Sequence, residues 1–216
     1  MNSVQTESLK EEIANSISHG VGAGLSIAAL SILIVMAARH GDAWRIVSFS
    51  IYGSTLVLLY LASTFYHIFS NSSVRRVFHI FDHSAIFLLI AGSYTPFCLV
   101  TIRGGWGWSI FGIVWGIAVL GIVFKAFFTG RFNIVSTILY LLMGWIIVIA
   151  IKPLLGSLPA GGFIWLGLGG GCYTAGIIFF AWKKLPFGHF IWHLFVLGGS
   201  ILHFFGILLY VLPMNS

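Results

Sequence analysis

Read for its apolar and polar positions, the chain is a series of seven long hydrophobic runs. They cover roughly residues 17–38, 45–69, 79–101, 107–127, 132–151, 160–182 and 189–212, with short breaks that carry basic, Gly or Pro residues. Each run has about 20 residues or more, enough for a helix to cross a hydrocarbon core about 30 Å thick. The pattern therefore predicts an all-α polytopic membrane protein, a seven-transmembrane-helix bundle. Its membrane domain spans 16–216, after a polar tail at 1–15 that enters a short helix near Glu11. The connections are short, so neighbouring helices should run antiparallel within one bundle.

Composition strengthens this picture. Hydrophobic residues make up 59% of the 216-residue chain and charged residues 7%, against about a quarter charged in a soluble domain. The net charge of +6 comes from basic residues scattered singly or in pairs at segment ends, which is the pattern of membrane orientation and not of a nucleic-acid-binding face. With seven spans, Lys10, Arg75, Arg76, Lys125, Arg131, Lys183 and Lys184 share one side, and Arg39, Arg45, Arg103 and Lys152 the other. The more basic side is the cytoplasmic one, so the N-terminus is expected in the cytoplasm and the C-terminus outside. Cys98 and Cys172 both fall inside apolar runs and read as small core residues. The N-terminal residues carry Glu7, Lys10, Glu11 and Glu12 where a signal peptide would be apolar.

Small residues recur at helix-packing spacing. Gly20 and Gly24, Gly112 and Gly116, and Gly169-Gly170-Gly171 predict close helix–helix approach. Pro96 should kink the third segment, and Trp106, Trp108, Trp145 and Trp182 read as interfacial anchors at segment ends.

The ionisable residues are the exceptions that carry chemistry. After Asp42 one carboxylate remains, Asp82, near the start of the third segment. His67 closes the second segment, and His189 and His193 open the seventh, so topology places all four on the cytoplasmic side, with His19 beside them. His189 and His193 are four residues apart, on one face of a helix and a turn apart. Three imidazoles from two helices suit a zinc ion whose fourth position holds water. Asp82 could then orient that water, and Ser63, one turn before His67, could hydrogen-bond at the site. Pro186 should pre-organise the first turn of the last helix.

Other histidines compete. His79 and His83 form a second i, i+4 pair, but His79 adjoins Arg75-Arg76 and is expected among headgroups. His203 lies ten residues beyond His193, about 15 Å deeper, and reads as a structural hydrogen bonder. A lone membrane histidine is commonly an interhelical hydrogen-bond partner, and a single His-x-x-x-His is a weak signal. Spacing alone leaves metal binding and structural bonding both open.

The ordered set Glu12-x-x-Asn15-x-x-x-His19, Ser63-x-x-x-His67, Phe78-x-x-x-Asp82, Gly92-Ser93-Tyr94-Thr95-Pro96 and His189-x-x-x-His193 covers nearly the whole chain. It resembles the family that joins bacterial hemolysin III-like membrane proteins to the progestin and adipoQ receptors, adiponectin receptors included. The short tail and compact loops look like the bacterial branch, which implies the bacterial inner (plasma) membrane. The resemblance implies an intramembrane zinc held by His67, His189 and His193, with Asp82 on the zinc water and Ser63 close by. It also implies kinship with ceramidase-type hydrolases. His83, directly after Asp82, departs from the receptor pattern.

The expected activity is zinc-dependent hydrolysis of a lipid amide or ester, with Asp82 as general base and Ser63 as donor to the oxyanion. The partners implied are membrane lipids, one of them the substrate. The competing expectations are a non-enzymatic receptor or stress-signalling protein with a structural zinc, and a hemolysin-type membrane-perturbing protein. The sequence points to no particular oligomeric state.

Overall fold

The computed structural model describes residues 8–39, 42–182 and 184–213; His40 and Lys183 lie outside them. Among the described residues every regular element is helical. Eight α-helices follow one another: α1 (Leu9–Arg39), α2 (Ala43–Ile68), α3 (Ser72–Pro96), α4 (Gly105–Phe128), α5 (Asn133–Trp145), α6 (Ile151–Ser157), α7 (Ala160–Ala181) and α8 (Gly188–Gly206). The third and seventh spans end in π-helical turns at Phe97–Thr101 and Ile207–Val211. A 3-10 turn, Ile146–Ala150, joins α5 to α6 within the fifth span. Seven spans are long and apolar enough to cross a bilayer, as the apolar pattern predicts.

The largest difference from expectation is at the start. The short tail helix and the first span are a single helix, and it begins at Leu9. Ser8 and Glu11 form a capping box: the Ser8 N–H donates to Glu11 Oε2 at 2.8 Å, and the Glu11 N–H donates to Ser8 Oγ at 3.3 Å. Glu12 and Asn15, in the stretch read as tail, are thus buried residues of α1's first two turns. Asp42 and Asn71 cap α2 and α3 by accepting from N–H groups of the first turn. At the end of α2 far from His67, Arg45 bonds the carbonyls of Leu212 and Pro213 at 2.8 and 3.2 Å, tying α2 to the end of the seventh span.

The core packs aromatic and aliphatic side chains of α2 and α3 (Tyr52, Tyr60, Phe87) against α1, α4 and α8. Close approach occurs at glycines other than most of those expected. A Cβ at Gly22 would meet the Tyr60 ring at 2.5 Å, one at Gly92 would collide with Thr55, and one at Gly169 with His203. Gly24, Gly112, Gly116, Gly170 and Gly171 have no non-local neighbour within 4 Å of an added Cβ, so the packing expected there is not formed.

Pro96 leaves the backbone helical and the π turn follows it directly. The break falls instead in the fifth span. Pro153 lacks the N–H that would bond back to Ile149, and the turn before it is 3-10. Tyr94 of α3 fills this break: its hydroxyl donates to Gly144 O at 2.7 Å and accepts from the Ile147 N–H at 2.9 Å. Trp145 is accordingly mid-span, with its Nε1–H donating to Thr174 Oγ1 at 3.1 Å. Trp106, Trp108 and Trp182 are exposed near span ends, where anchors are expected.

Candidate metal centre

Helix geometry brings together what the sequence separates. His67 sits in the last turn of α2, and His189 and His193 in the first two turns of α8. One ligand nitrogen from each lies within 4.8 Å of the others. The ring centroids are 5.1 Å apart for His67–His189 and for His67–His193, and 4.6 Å for His189–His193. A zinc ion bonded at about 2.0–2.1 Å to each nitrogen needs them roughly 3.4 Å apart. Small side-chain rotations therefore close this triangle, and the donor set fits the metal.

Neighbouring groups determine which nitrogen each ring presents. Glu12 Oε2 accepts from His67 Nδ1–H at 2.6 Å, and the other carboxylate oxygen pairs with Arg75 of α3. That bond puts the His67 proton on Nδ1 and directs Nε2 inward. Ser18 of α1 acts the same way on His193. Its hydroxyl donates to Asn15 O at 2.9 Å, so at 3.3 Å Ser18 Oγ accepts from His193 Nδ1–H. His19 stacks on the His193 imidazole, with centroids 3.5 Å apart and an interplanar angle of 12°. His67 and His193 are both buried, and His189 is partly so.

Asp82 is buried in α3, outside the cluster of donor nitrogens. It lies ten residues, about 15 Å, into a helix that begins earlier than expected. Together with His189 and His193 it lines a cavity of about 200 Å³ whose wall is overwhelmingly apolar. The cavity runs alongside α8 from His189 past Val196 to His203, and on to Leu154 and Phe163 at its far end. Ser63 is fully buried one turn before His67 and is not on the cavity wall; its hydroxyl has no hydrogen-bond partner among the described residues.

The remaining histidines separate by place. His203 Nε2–H donates to Leu166 O at 3.4 Å, the structural bond expected of it. His79 is partly buried and stacks on Tyr66 at 4.9 Å, so it is not simply a headgroup-exposed residue. His83 meets His79 edge-on at 4.6 Å, faces the cavity beside Asp82, and accepts through its carbonyl from the Tyr140 hydroxyl at 2.9 Å. Pro186 lies in the turn before α8 and not in its first helical turn.

Sequence reasoning missed the contribution of α1. Glu12, Asn15 and His19, at i, i+3 and i+7, share one helical face, and the Ser8-x-x-Glu11 capping box places them inside a helix. Those two signals together point the face at the bundle.

Comparison with known proteins identifies a family. The family model described as Haemolysin-III related matches residues 7–204. The chain is 55% identical over 211 residues to Hemolysin-3 of Bacillus cereus, covering 98% of this chain and 96% of that protein. It is 54% identical over 202 residues to the Hemolysin-3 homolog of Bacillus subtilis (strain 168), with 94% and 95% covered. A more distant relative, the human monocyte to macrophage differentiation factor, is 29% identical over 207 residues, with 93% and 84% covered. Glu12, His67, Asp82, His189 and His193 all fall within the matched region, and this seven-span integral membrane protein belongs to the haemolysin-III related family.

Proposed function

We propose that the protein is a zinc-dependent membrane hydrolase that cleaves a lipid amide or ester, in the manner of a ceramidase. The observation that carries this reading is the convergence of three imidazole nitrogens at one end of an apolar cavity with a buried carboxylate on its wall. A closed structural zinc takes four protein ligands, whereas a catalytic one keeps a position open. Three histidine donors, with Asp82 on the wall of the adjoining cavity, favour the open arrangement over a purely structural metal. The bacterial relatives favour the inner membrane, and the basic-side count favours a site that opens toward the cytoplasm.

In this reading His67, His189 and His193 hold the metal, and the apolar wall receives the lipid chain and excludes water from it. Zinc bound there would lower the pKa of a water molecule and polarise the scissile carbonyl. Asp82 takes the proton from the attacking water on a carboxylate oxygen and returns it to the leaving amine or alkoxide. Ser63 is assigned as donor to the oxyanion through its Oγ–H. Its place off the cavity wall requires a shift toward the substrate, and retained turnover in Ser63→Ala would reassign it to packing. Lysis, implied by the name of the bacterial relatives, gives the buried histidine cluster no task.

The test is turnover by purified, zinc-loaded protein on ceramides, acyl amides and lipid esters, beside elemental analysis of wild type, His67→Ala and His193→Ala. Stoichiometric zinc in the wild type and in neither histidine variant, with turnover lowered about 10²- to 10⁴-fold in Asp82→Asn, is the expected result. Zinc retained in both histidine variants, or no hydrolysis of any of these lipids, overturns the reading.

A further inference from the structure

The first turn of α1 supplies no metal ligand, yet it reaches all three helices that form the site. Glu11 and Glu12 are adjacent, so their side chains leave the helix about 100° apart. Glu12 turns toward α2 and α3, where it accepts from His67 Nδ1–H at 2.6 Å and pairs with Arg75. Glu11 turns toward α8, where Oε1 accepts from the Phe187 N–H at 2.7 Å.

The second contact falls where α8 needs it. Phe187 is the N-cap of α8, held at φ 56°, and has no side-chain capping bond of its own. A non-glycine residue in that left-handed region is strained and keeps its conformation only where the surroundings hold it. Glu11 provides both a backbone bond to the strained residue and a negative charge at the positive end of the helix that bears His189 and His193. The capping box with Ser8 holds Glu11 in place.

We infer that Glu11 and Glu12 are positioning residues that set the metal affinity of the site, Glu12 by orienting His67 and Glu11 by fixing the start of α8. This rests on the metal-site reading above. It gives a task to Glu12, the first residue of the N-terminal motif Glu12-x-x-Asn15-x-x-x-His19, which that reading leaves unused. A carboxylate on the far nitrogen of a ligand histidine typically contributes 10- to 100-fold in metal affinity. A charge at a helix terminus contributes about two- to fivefold.

The experiment is zinc competition against a chromophoric chelator, using full-length apo-protein in detergent. It compares wild type, Glu12→Ala, Glu12→Gln, Glu11→Ala and, as a control on an exposed face of the same helix, Ile13→Ala. Thermal unfolding of the apo forms reports folding separately, and the visible spectrum of the Co(II)-loaded forms reports ligand geometry. The expected order is wild type and Ile13→Ala tightest, Glu11→Ala weaker by about two- to fivefold, and Glu12→Ala weaker by about 10- to 100-fold with an altered cobalt spectrum. Glu12→Gln keeps an acceptor for His67 Nδ1–H and should recover much of the loss. Wild-type affinity and spectrum in folded Glu12→Ala, or wild-type affinity in folded Glu11→Ala, would overturn the inference while leaving the metal site standing. Absence of zinc binding by the wild type would overturn the metal reading, and this inference with it.

Discussion

At the scale of single residues, the site separates groups that hold a metal from groups that move protons. His67, His189 and His193 converge, while Asp82 stands on the cavity wall beyond them. Asp82→Asn keeps the size of the side chain and removes its basicity, so it should retain metal and lower turnover about 10²- to 10⁴-fold. Metal content and initial rates measured on one preparation check both halves. The glycines allow a contrast of their own. Gly92→Ala places a methyl against Thr55 in the packed α2–α3 contact and should destabilise the fold by about 1–3 kcal/mol. Gly112→Ala enters open space and should be neutral or stabilising by up to about 1 kcal/mol, since glycine is a poor helix former. Equal unfolding of the two variants in a denaturant titration would contradict this packing.

At the scale of elements, the fifth span gives up its α-helical hydrogen bonding midway, at a 3-10 turn. In a bilayer an unsatisfied peptide group has no water to turn to, and Tyr94 provides for both sides of the break with one hydroxyl. Tyr94→Phe removes both bonds and leaves Gly144 O and Ile147 N without this partner. It should cost about 1–3 kcal/mol and raise hydrogen exchange around residues 144–147 selectively. Uniform protection in variant and wild type would place the satisfaction of the break elsewhere. The seventh span shows the other pattern, a helix start built without a cap of its own and completed from α1.

At the scale of the whole molecule, the histidine cluster joins α2 to α8, helices far apart in sequence. A metal bound by the native fold and not by the unfolded chain stabilises in proportion to its occupancy. Zinc should therefore raise the apparent unfolding temperature of the wild type. Chelation should lower it, and neither should shift His67→Ala. The basic-side count sets a second whole-molecule expectation. A cysteine introduced at Gly130 should be labelled from the cytoplasmic side, and one at Gly104 from the outside; the reverse pattern would invert the orientation.

The sequence by itself determined the fold class. Seven apolar runs longer than a bilayer is thick can be satisfied only by spanning helices, and that constraint acts locally along the chain. It also singled out His67, His189 and His193 as candidate donors, because histidines in apolar runs are few and the alternation of spans sorts them by side; the fold brings those three together. What the tertiary structure decided is how those groups are held. Whether a glycine packs or faces open space depends on a neighbour far away in sequence, as Gly92 against Thr55 and the empty surroundings of Gly112 illustrate. The break in the fifth span depends on Tyr94 arriving from α3. Above all, the polar stretch before the first run looks like a tail when read along the chain, because its residues are hydrophilic. In the folded protein Glu12 is buried, since His67 and Arg75 supply from other helices the partners that make burial of a carboxylate affordable.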